Sequence, residues 1–319
     1  MSAPKLVLAP APHLHSGESV PRVMFDVILA LMPAVIWAVY VFGPPALLTL
    51  VVAMIGAVAV ETLWNRAIGR ASTVGDGSAL VTGIILALNV PSNLPWWMTL
   101  TGVIAAIIFG KQIYGGLGHN PFNPAAVGRV FLLLSFPVAM TAEWPDAFAP
   151  VRTAATPLGL LKNQGAANLP DLDVLFFGLK GGSMGEVSVF MLLLGAIYLL
   201  HRRVITWQVP VSFLATMAVI ALPFWRLDPL RFASPLFHLL TGGAVIGAFF
   251  MATDMVTMPL GARARLAFGV GCGLITMLVR LWGGYPEGVS FAILIMNALA
   301  PMLERYLRAP RFGAAAVKA

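Results

Sequence analysis

Apolar positions run along this chain in ten stretches, at about 22–42, 45–66, 77–90, 96–114, 123–141, 187–200, 204–224, 236–252, 264–282 and 286–304. A helix needs about 20 predominantly apolar residues to cross a bilayer. Most of the runs approach that length, but the third and sixth hold only about 14 residues and are too short to span upright. The third also ends in "NVPSNLP", where two prolines stop a helix. Short or broken helices persist at membrane depth only where protein or a cavity satisfies the freed backbone. The pattern therefore predicts an all-α polytopic membrane protein of about ten transmembrane helices, some of them short or broken.

Charge fixes the orientation of such a chain, because cytoplasmic loops collect Lys and Arg. With the N-terminus inside and ten spans, the cytoplasmic side takes fourteen of these residues, including Arg22, Arg66, Lys111, Arg129, Arg202 and Arg263. The other side takes six: Arg152, Lys162, Lys180, Arg226, Arg231 and Arg280. Both termini are thereby predicted to be cytoplasmic. The resulting division is a tail at 1–21, a five-helix unit at 22–141, an outer-face loop at 142–186, a second five-helix unit at 187–305 and a tail at 306–319. The outer loop is the longest polar segment in the chain.

The two units echo each other. "ALVTGIILA" at 79–87 resembles "HLLTGGAVI" at 238–246, and "QIYGGLG" at 112–118 resembles "RLWGGYP" at 280–286. With an odd number of spans in each unit, the second enters the membrane from the opposite side, which makes an inverted repeat. Folds of this kind place ligand or ion sites where discontinuous helices meet near the midplane.

Composition agrees and excludes several functions. Hydrophobic residues make up 59% of the 319 and charged residues 10%, against about a quarter charged in soluble domains. The net charge of +7 is loop charge, and no basic cluster is dense enough for nucleic acid. The single cysteine, Cys272, lies in an apolar run and offers neither a disulfide nor a cluster ligand set. The five histidines (13, 15, 119, 201 and 238) lack metal spacing, so no metal site is expected. No Ser-His-Asp order, nucleotide-binding glycine loop or paired-carboxylate site is visible, and no catalytic residue is assigned.

Three motifs carry candidate chemistry. The first is "APVRTAATPLGLLK" at 149–162, in the outer loop. Thr156 followed by Pro157 reads as a helix N-cap with proline at the first helical position. Free N–H groups at a helix start also bind phosphate, so a phosphate esterified to the Thr156 hydroxyl would meet them. Capping and attachment are compatible, and the small neighbours Thr153, Ala154 and Ala155 leave room for a bulky group. The second motif is "GGLGHNPFNPAAVGRVFLLL" at 115–134, where Asn120 and Asn123 each precede a proline. Buried amides must find partners, either as helix caps or by meeting a planar polar ligand such as a flavin ring. The third is a set of acids near or inside spans: Asp26, Glu61, Asp76, Asp254 and Glu287. Such acids are costly and often functional. Asp76 opens the short third run and Asp254 closes the eighth, at corresponding places in the two units, making them the ion-path candidates.

Taken together, "SGESVPRVMFDVILALMPA", "GDGSALVTGIILAL", "GGLGHNPFNPAAVGRVFLL", "TAATPLGLLK" and "GAFFMATDMVTMP" resemble the D subunits of Rnf electron transport complexes. They are more distantly similar to the B subunits of the sodium-pumping NADH:quinone reductase. The resemblance spans about residues 13–305. It implies a urea-transporter-like fold of two inverted five-helix repeats. It implies FMN held by a phosphoester bond on the last threonine of the TAAT-type motif, Thr156 here, installed by a flavin transferase outside the cytoplasm. It further implies a second, non-covalent flavin, riboflavin, with Asn120 and Asn123 at the matching positions. The expected role is electron relay inside a complex of the bacterial inner membrane that couples ferredoxin and NAD to sodium or proton movement. The expected neighbours are the other membrane and peripheral subunits of that complex and lipid. Flavinylation motifs often place an aspartate five or six residues before the threonine, whereas Asp146 lies ten before it here. The quinone-reductase homologue is the alternative within the resemblance, although it usually carries a longer N-terminal extension. A small-solute channel on the same repeat, without redox chemistry, is the alternative outside it.

Overall fold

Each of the ten apolar runs contains helix in the computed structural model, which describes residues 19–141, 144–153, 155–166, 169–178, 180–186 and 188–307. The first unit holds α1 (Val20–Phe42), α2 (Pro44–Ala67), α3 (Ser78–Leu88), α4 (Trp96–Gly110), α5 (Pro124–Ser135) and the short α6 (Pro137–Thr141). The connecting segment holds a hairpin, β1 (Pro145–Asp146) with β2 (Ala149–Thr153), then α7 (Pro157–Gln164) and α8 (Leu172–Phe177). The second unit holds α9 (Val189–His201), α10 (Gln208–Leu227), α11 (Pro235–Leu240), α12 (Ala244–Ile246), a π turn (Gly247–Met251), α13 (Ala262–Trp282) and α14 (Val289–Tyr306). Both predicted tails lie essentially outside the described residues.

Among the described residues, five segments are long and apolar enough to cross a membrane: Val20–Phe42, Pro44–Ala67, Trp96–Tyr114, Gln208–Leu227 and Ala262–Trp282. Helices α3, α5 and α9 are apolar but have only 11, 12 and 13 residues. The short third and sixth runs thus fold as short helices. Nearly all of α3 is buried, as a helix too short to span requires. The eighth run is the most broken. It passes from α11 through an extended Thr241 and Gly242 at φ 65° into α12 and then into the π turn. The α1–α2 connection is one residue, Gly43 at φ 67°, a left-handed value that needs glycine, and Pro44 starts the next helix.

Packing pairs the helices in a regular way. Helix α2 packs on α3 and α4, and α4 on α5; α10 packs on α11 and α13, and α13 on α14. The units meet through α1 against α9 and α5 against α14. The core is dominated by small and aliphatic residues from all of these helices, with Leu31, Phe42, Ile107, Phe213 and Phe268 fully buried. The outward faces remain apolar, with Phe25, Ile36, Ile55, Ile197 and Val219 exposed, as a lipid-facing surface requires.

The two ends of α1 mark the two candidate sites. The Phe148 N–H donates to Val41 O at 3.2 Å, which seats the hairpin at the C-terminal end of α1. Tyr40 and Phe148 meet edge-on at 5.7 Å. At 1.5 Å per residue, the N-terminal end of α1 lies about 34 Å away.

Candidate functional site

Thr156 is the N-cap of α7, with an extended backbone at φ −64° and ψ 152° set by the proline after it. Its Oγ1 accepts from the Gly159 N–H at 3.1 Å, so the capping geometry expected from the sequence is present. The side chain is half-buried, and its neighbour Ala155 is exposed. Thr153 ends β2, but its side chain and all of Ala154 lie outside the described residues. A Cβ at Gly159 would stand 3.1 Å from Thr156 Oγ1, so the glycine keeps the space beside the hydroxyl open. The helix-start donors, the open face and the half-buried side chain fit a phosphoester at this position.

Thr156 stands on the rim of a narrow cleft of about 40 Å³ shared with Trp144, Tyr285 and Phe291. That volume is far below the roughly 300–1,000 Å³ of small-molecule sites. A flavin ring on a Thr156 tether would lie outside the cleft. Behind the rim is a buried charge network that sequence reading missed. Arg129 Nη1 donates to Asn89 Oδ1 at 2.7 Å, and Nη2 reaches Glu186 Oε1 at 3.3 Å and Glu287 Oε2. Glu287 also accepts from the Gly243 N–H. The network therefore ties the end of α3 and the break before α12 to the loops before α9 and α14. Lys180 and Arg280, also buried, donate to carbonyls of Leu240, His238 and Thr241 beside it. Arg129, a loop charge by sequence, belongs here because the fold breaks four backbone segments at one depth. Glu287 is among the acids near spans that the sequence singles out. Glu186 is not, and its only signal is its place after the glycine-rich "GGSMG".

The second site opens at the opposite end of α1. A cavity of about 460 Å³ is lined there by Val20, Val23, Asn120, Asn123, Phe249 and Asp254, among others. Small-molecule sites run from about 300 to 1,000 Å³, with mostly apolar walls and a few placed polar groups. Asn120 is 3% exposed; its Nδ2 donates to Phe122 O at 3.1 Å, and its Oδ1 has no partner among the described residues. Asn123 is differently employed. Its Oδ1 caps α5 by accepting from Ala126 N–H at 3.1 Å, and its Nδ2 donates to Met251 O in the π turn at 3.1 Å. Its N–H donates to Asn297 Oδ1 at 3.1 Å. Asn123 thus fixes the wall, while Asn120 presents a free acceptor. A buried acceptor without a partner suits the ring N–H of a planar polar ligand, and a flavin ring such as the resemblance implies is of that kind.

Lys111 also lines this cavity and is only 1% exposed. Its Nζ lies 2.7 Å from Glu61 Oε2, itself fully buried, and donates to Ser78 Oγ at 2.6 Å. Thr73 donates to Glu61 and accepts from Asn65 at 2.9 Å. Lys111 is a second residue that the sequence places among loop charges and the fold buries. Asp76 is half-buried and binds Ser78 through its backbone N–H at 2.8 Å and its hydroxyl at 2.5 Å. Asp254 accepts from Val256 N–H at 3.3 Å and Thr257 Oγ1 at 3.2 Å. The two aspartates therefore flank the same cavity: Asp254 in its wall, and Asp76 one hydrogen bond behind Ser78.

Residues 7–313 match the family described as NQR2, RnfD, RnfE. The chain belongs to that family. Its relatives are similar from end to end. The D subunit of the Na(+)-translocating ferredoxin:NAD(+) oxidoreductase complex of Acetobacterium woodii is 41% identical over 320 residues, covering 100% of this chain and 98% of the relative. The D subunit of the proton-translocating ferredoxin:NAD(+) oxidoreductase complex of Clostridium ljungdahlii is 40% identical over 317 residues, with 96% of each covered. The D subunit of the ion-translocating oxidoreductase complex of Ectopseudomonas mendocina is 41% identical over 339 residues, covering 98% of this chain and 96% of the relative.

Proposed function

We propose that this NQR2, RnfD, RnfE family member is the D subunit of an ion-translocating ferredoxin:NAD oxidoreductase complex, carrying FMN covalently on Thr156 and riboflavin in the cavity beside Asn120. The observation that carries the reading is the N-cap geometry of Thr156 in a chain about 40% identical, end to end, to relatives bearing that complex's name. When bound, the two flavins supply the one- and two-electron chemistry, and the protein supplies position, polarity and exclusion of water. Thr156 is the tether. Asn123 holds the cavity wall by joining α5 to the π turn and to α14. Asn120 orients the ligand through its free acceptor. Asp76 and Asp254 are placed on the ion path. The names of the relatives include both sodium and proton, so similarity alone leaves the ion open.

The architecture proposed is ten helices in two inverted five-helix repeats. Exchanging α2 with α10, α3 with α11, α4 with α13 and α5 with α14 turns the main pairings of one unit into those of the other, and α1 against α9 and α5 against α14 map onto themselves. The echo between 79–87 and 238–246 supports it at atomic detail. Thr82 Oγ1 donates to the carbonyl four residues back, of Ser78, at 2.9 Å, and Thr241 Oγ1 does the same to Phe237 at 2.6 Å. Burial of Lys111, Arg129, Lys180 and Arg280 removes two residues from each side of the charge tally. The remaining balance, twelve against four, keeps the same sign, with the termini in the cytoplasm and Thr156 on the outer face of the inner membrane. The partners proposed are the other subunits of the complex, lipid and, during maturation, a flavin transferase.

The test is fluorescence of the denatured chain in a gel, from cells that make the transferase, with Thr156→Val beside it. A fluorescent wild-type band and a dark variant support the reading. A dark wild-type band would favour a channel on the same scaffold.

A further inference from the structure

Between α7 and the ends of α10, α11 and α13 lies a third cavity, of about 300 Å³. Its ionisable lining is entirely basic: Lys162, Arg231, His238 and Arg280, with leucines, Phe232 and Pro286 completing the walls. The last two basic groups are built in rather than displayed. His238 is 1% exposed and Arg280 is 7% exposed. Arg280 spends Nη1 on His238 O at 2.6 Å and Nη2 on Thr241 O at 2.9 Å, which leaves its Nε with no partner among the described residues. His238 Nδ1 is also buried without a partner among the described residues.

Buried polar groups are satisfied in the great majority of cases, and each exception calls for an explanation. Glu287 is occupied by Arg129 and the Gly243 N–H and is not part of the lining. At the mouth, Lys162 is exposed and donates to Gly283 O and to Tyr285 O at 2.9 Å, and an ammonium keeps a third donor. The Arg231 guanidinium is exposed and lies over the Phe232 ring at 5.4 Å. The far side is tied shut by the Ala166 N–H donating to Leu230 O at 2.9 Å.

We propose that this cavity is an anion site that takes a phosphate group. The Arg280 Nε–H, a donor in every state, and His238 Nδ1, a donor in its Nδ1–H tautomer, lie unpaired among the described residues, and two cations flank the mouth. Its depth in the bilayer is set by Trp282, which is exposed at the end of α13 and stacks edge-on against Phe224 at 5.4 Å. Exposed tryptophans mark the level of lipid headgroups. The phosphate is therefore that of an anionic phospholipid or a free phosphate, and either one bridges α7 to α11 and α13. The site uses no atom of Thr156 and stands independently of the flavin attachment.

The experiment uses the purified, detergent-solubilised complex with two probes. Inorganic phosphate labelled with ³²P is titrated at equilibrium, and phosphatidylglycerol retained after delipidation is counted by native mass spectrometry, with phosphatidylcholine as control. The expected result is one saturable site for one probe. Its affinity falls at least tenfold in both Lys162→Gln and Arg231→Gln, whose rim positions spare the fold, and it persists in Thr156→Asn, which removes the hydroxyl and keeps an α7 cap. Occupancy by labelled phosphate assigns the free ion, and retention of phosphatidylglycerol over phosphatidylcholine assigns the lipid. Absence of saturable binding for both probes overturns the proposal, as does binding unchanged in the two rim variants. Loss of binding in Thr156→Asn also overturns it, because the phosphate would then belong to the tethered group.

Discussion

Arg129 and Glu287, 158 positions apart, form an ion pair that joins the first helical unit to the second. The same guanidinium reaches Glu186, so one cation holds two buried carboxylates. Removing one member of a buried charge network costs about 3–5 kcal/mol because the others are left uncompensated. Arg129→Gln is expected to lower the thermal midpoint of the purified protein sharply. The triple variant with Glu186→Gln and Glu287→Gln should recover most of it. An unchanged midpoint for Arg129→Gln would show that the carboxylates have other support.

Lys111 and Glu61 make the equivalent case at the other end of the bundle. Their 2.7 Å contact is fully buried, with Ser78 and Thr73 completing the hydrogen bonds. Lys111→Met should destabilise by about 3–5 kcal/mol. Lys111→Met with Glu61→Leu should cost clearly less than the sum of the two single changes. Chemical denaturation of all three variants in one detergent checks the cycle, and strict additivity would mean the pair contributes nothing as a pair.

The α1–α9 contact gives a steric prediction. A Cβ on Gly195 would stand 1.9 Å from Ala30 O, a backbone atom that cannot yield without moving the helix. Gly195→Ala should therefore cost at least about 1–3 kcal/mol by overpacking. Gly75→Ala, where a Cβ meets nothing within 4 Å, should stay within about 0.5 kcal/mol. Equal midpoints for the two variants would place α1 and α9 farther apart than they stand here.

Much of this was legible in the sequence, for definite reasons. The helical runs, the short α3 and the Thr156 cap follow from apolar length, proline position and hydroxyl chemistry, all of which act over a few residues. Asn123 as a cap was legible in the same way. The Arg129–Glu186–Glu287 network was not, because its members meet only once four breaks in the chain converge. The burial of Lys111 was hidden for a related reason: a lysine between two apolar segments looks like a loop charge until Glu61, 50 positions earlier, is found beside it. The hairpin at 145–153 was also invisible, since its strands are too short to show a period.

Asn120 allows the proposed second flavin to be tested apart from the first. Its Oδ1 is a buried acceptor without a partner on the cavity of about 460 Å³, so a ligand N–H there would gain a hydrogen bond that water does not supply equally. Asn120→Ala removes that acceptor and leaves the α5 cap intact. Non-covalent flavin released by denaturing the purified complex should fall, with an affinity loss of about tenfold, equivalent to about 1.4 kcal/mol. Covalent fluorescence in the gel should stay at the wild-type level, because Thr156 lies at the other end of α1. Asn123→Ala should lower both flavin retention and thermal stability, since it also releases Ala126 and Met251. Full flavin retention in Asn120→Ala would remove Asn120 from the site, and loss of covalent fluorescence in the same variant would show that the two ends of the protein are not independent.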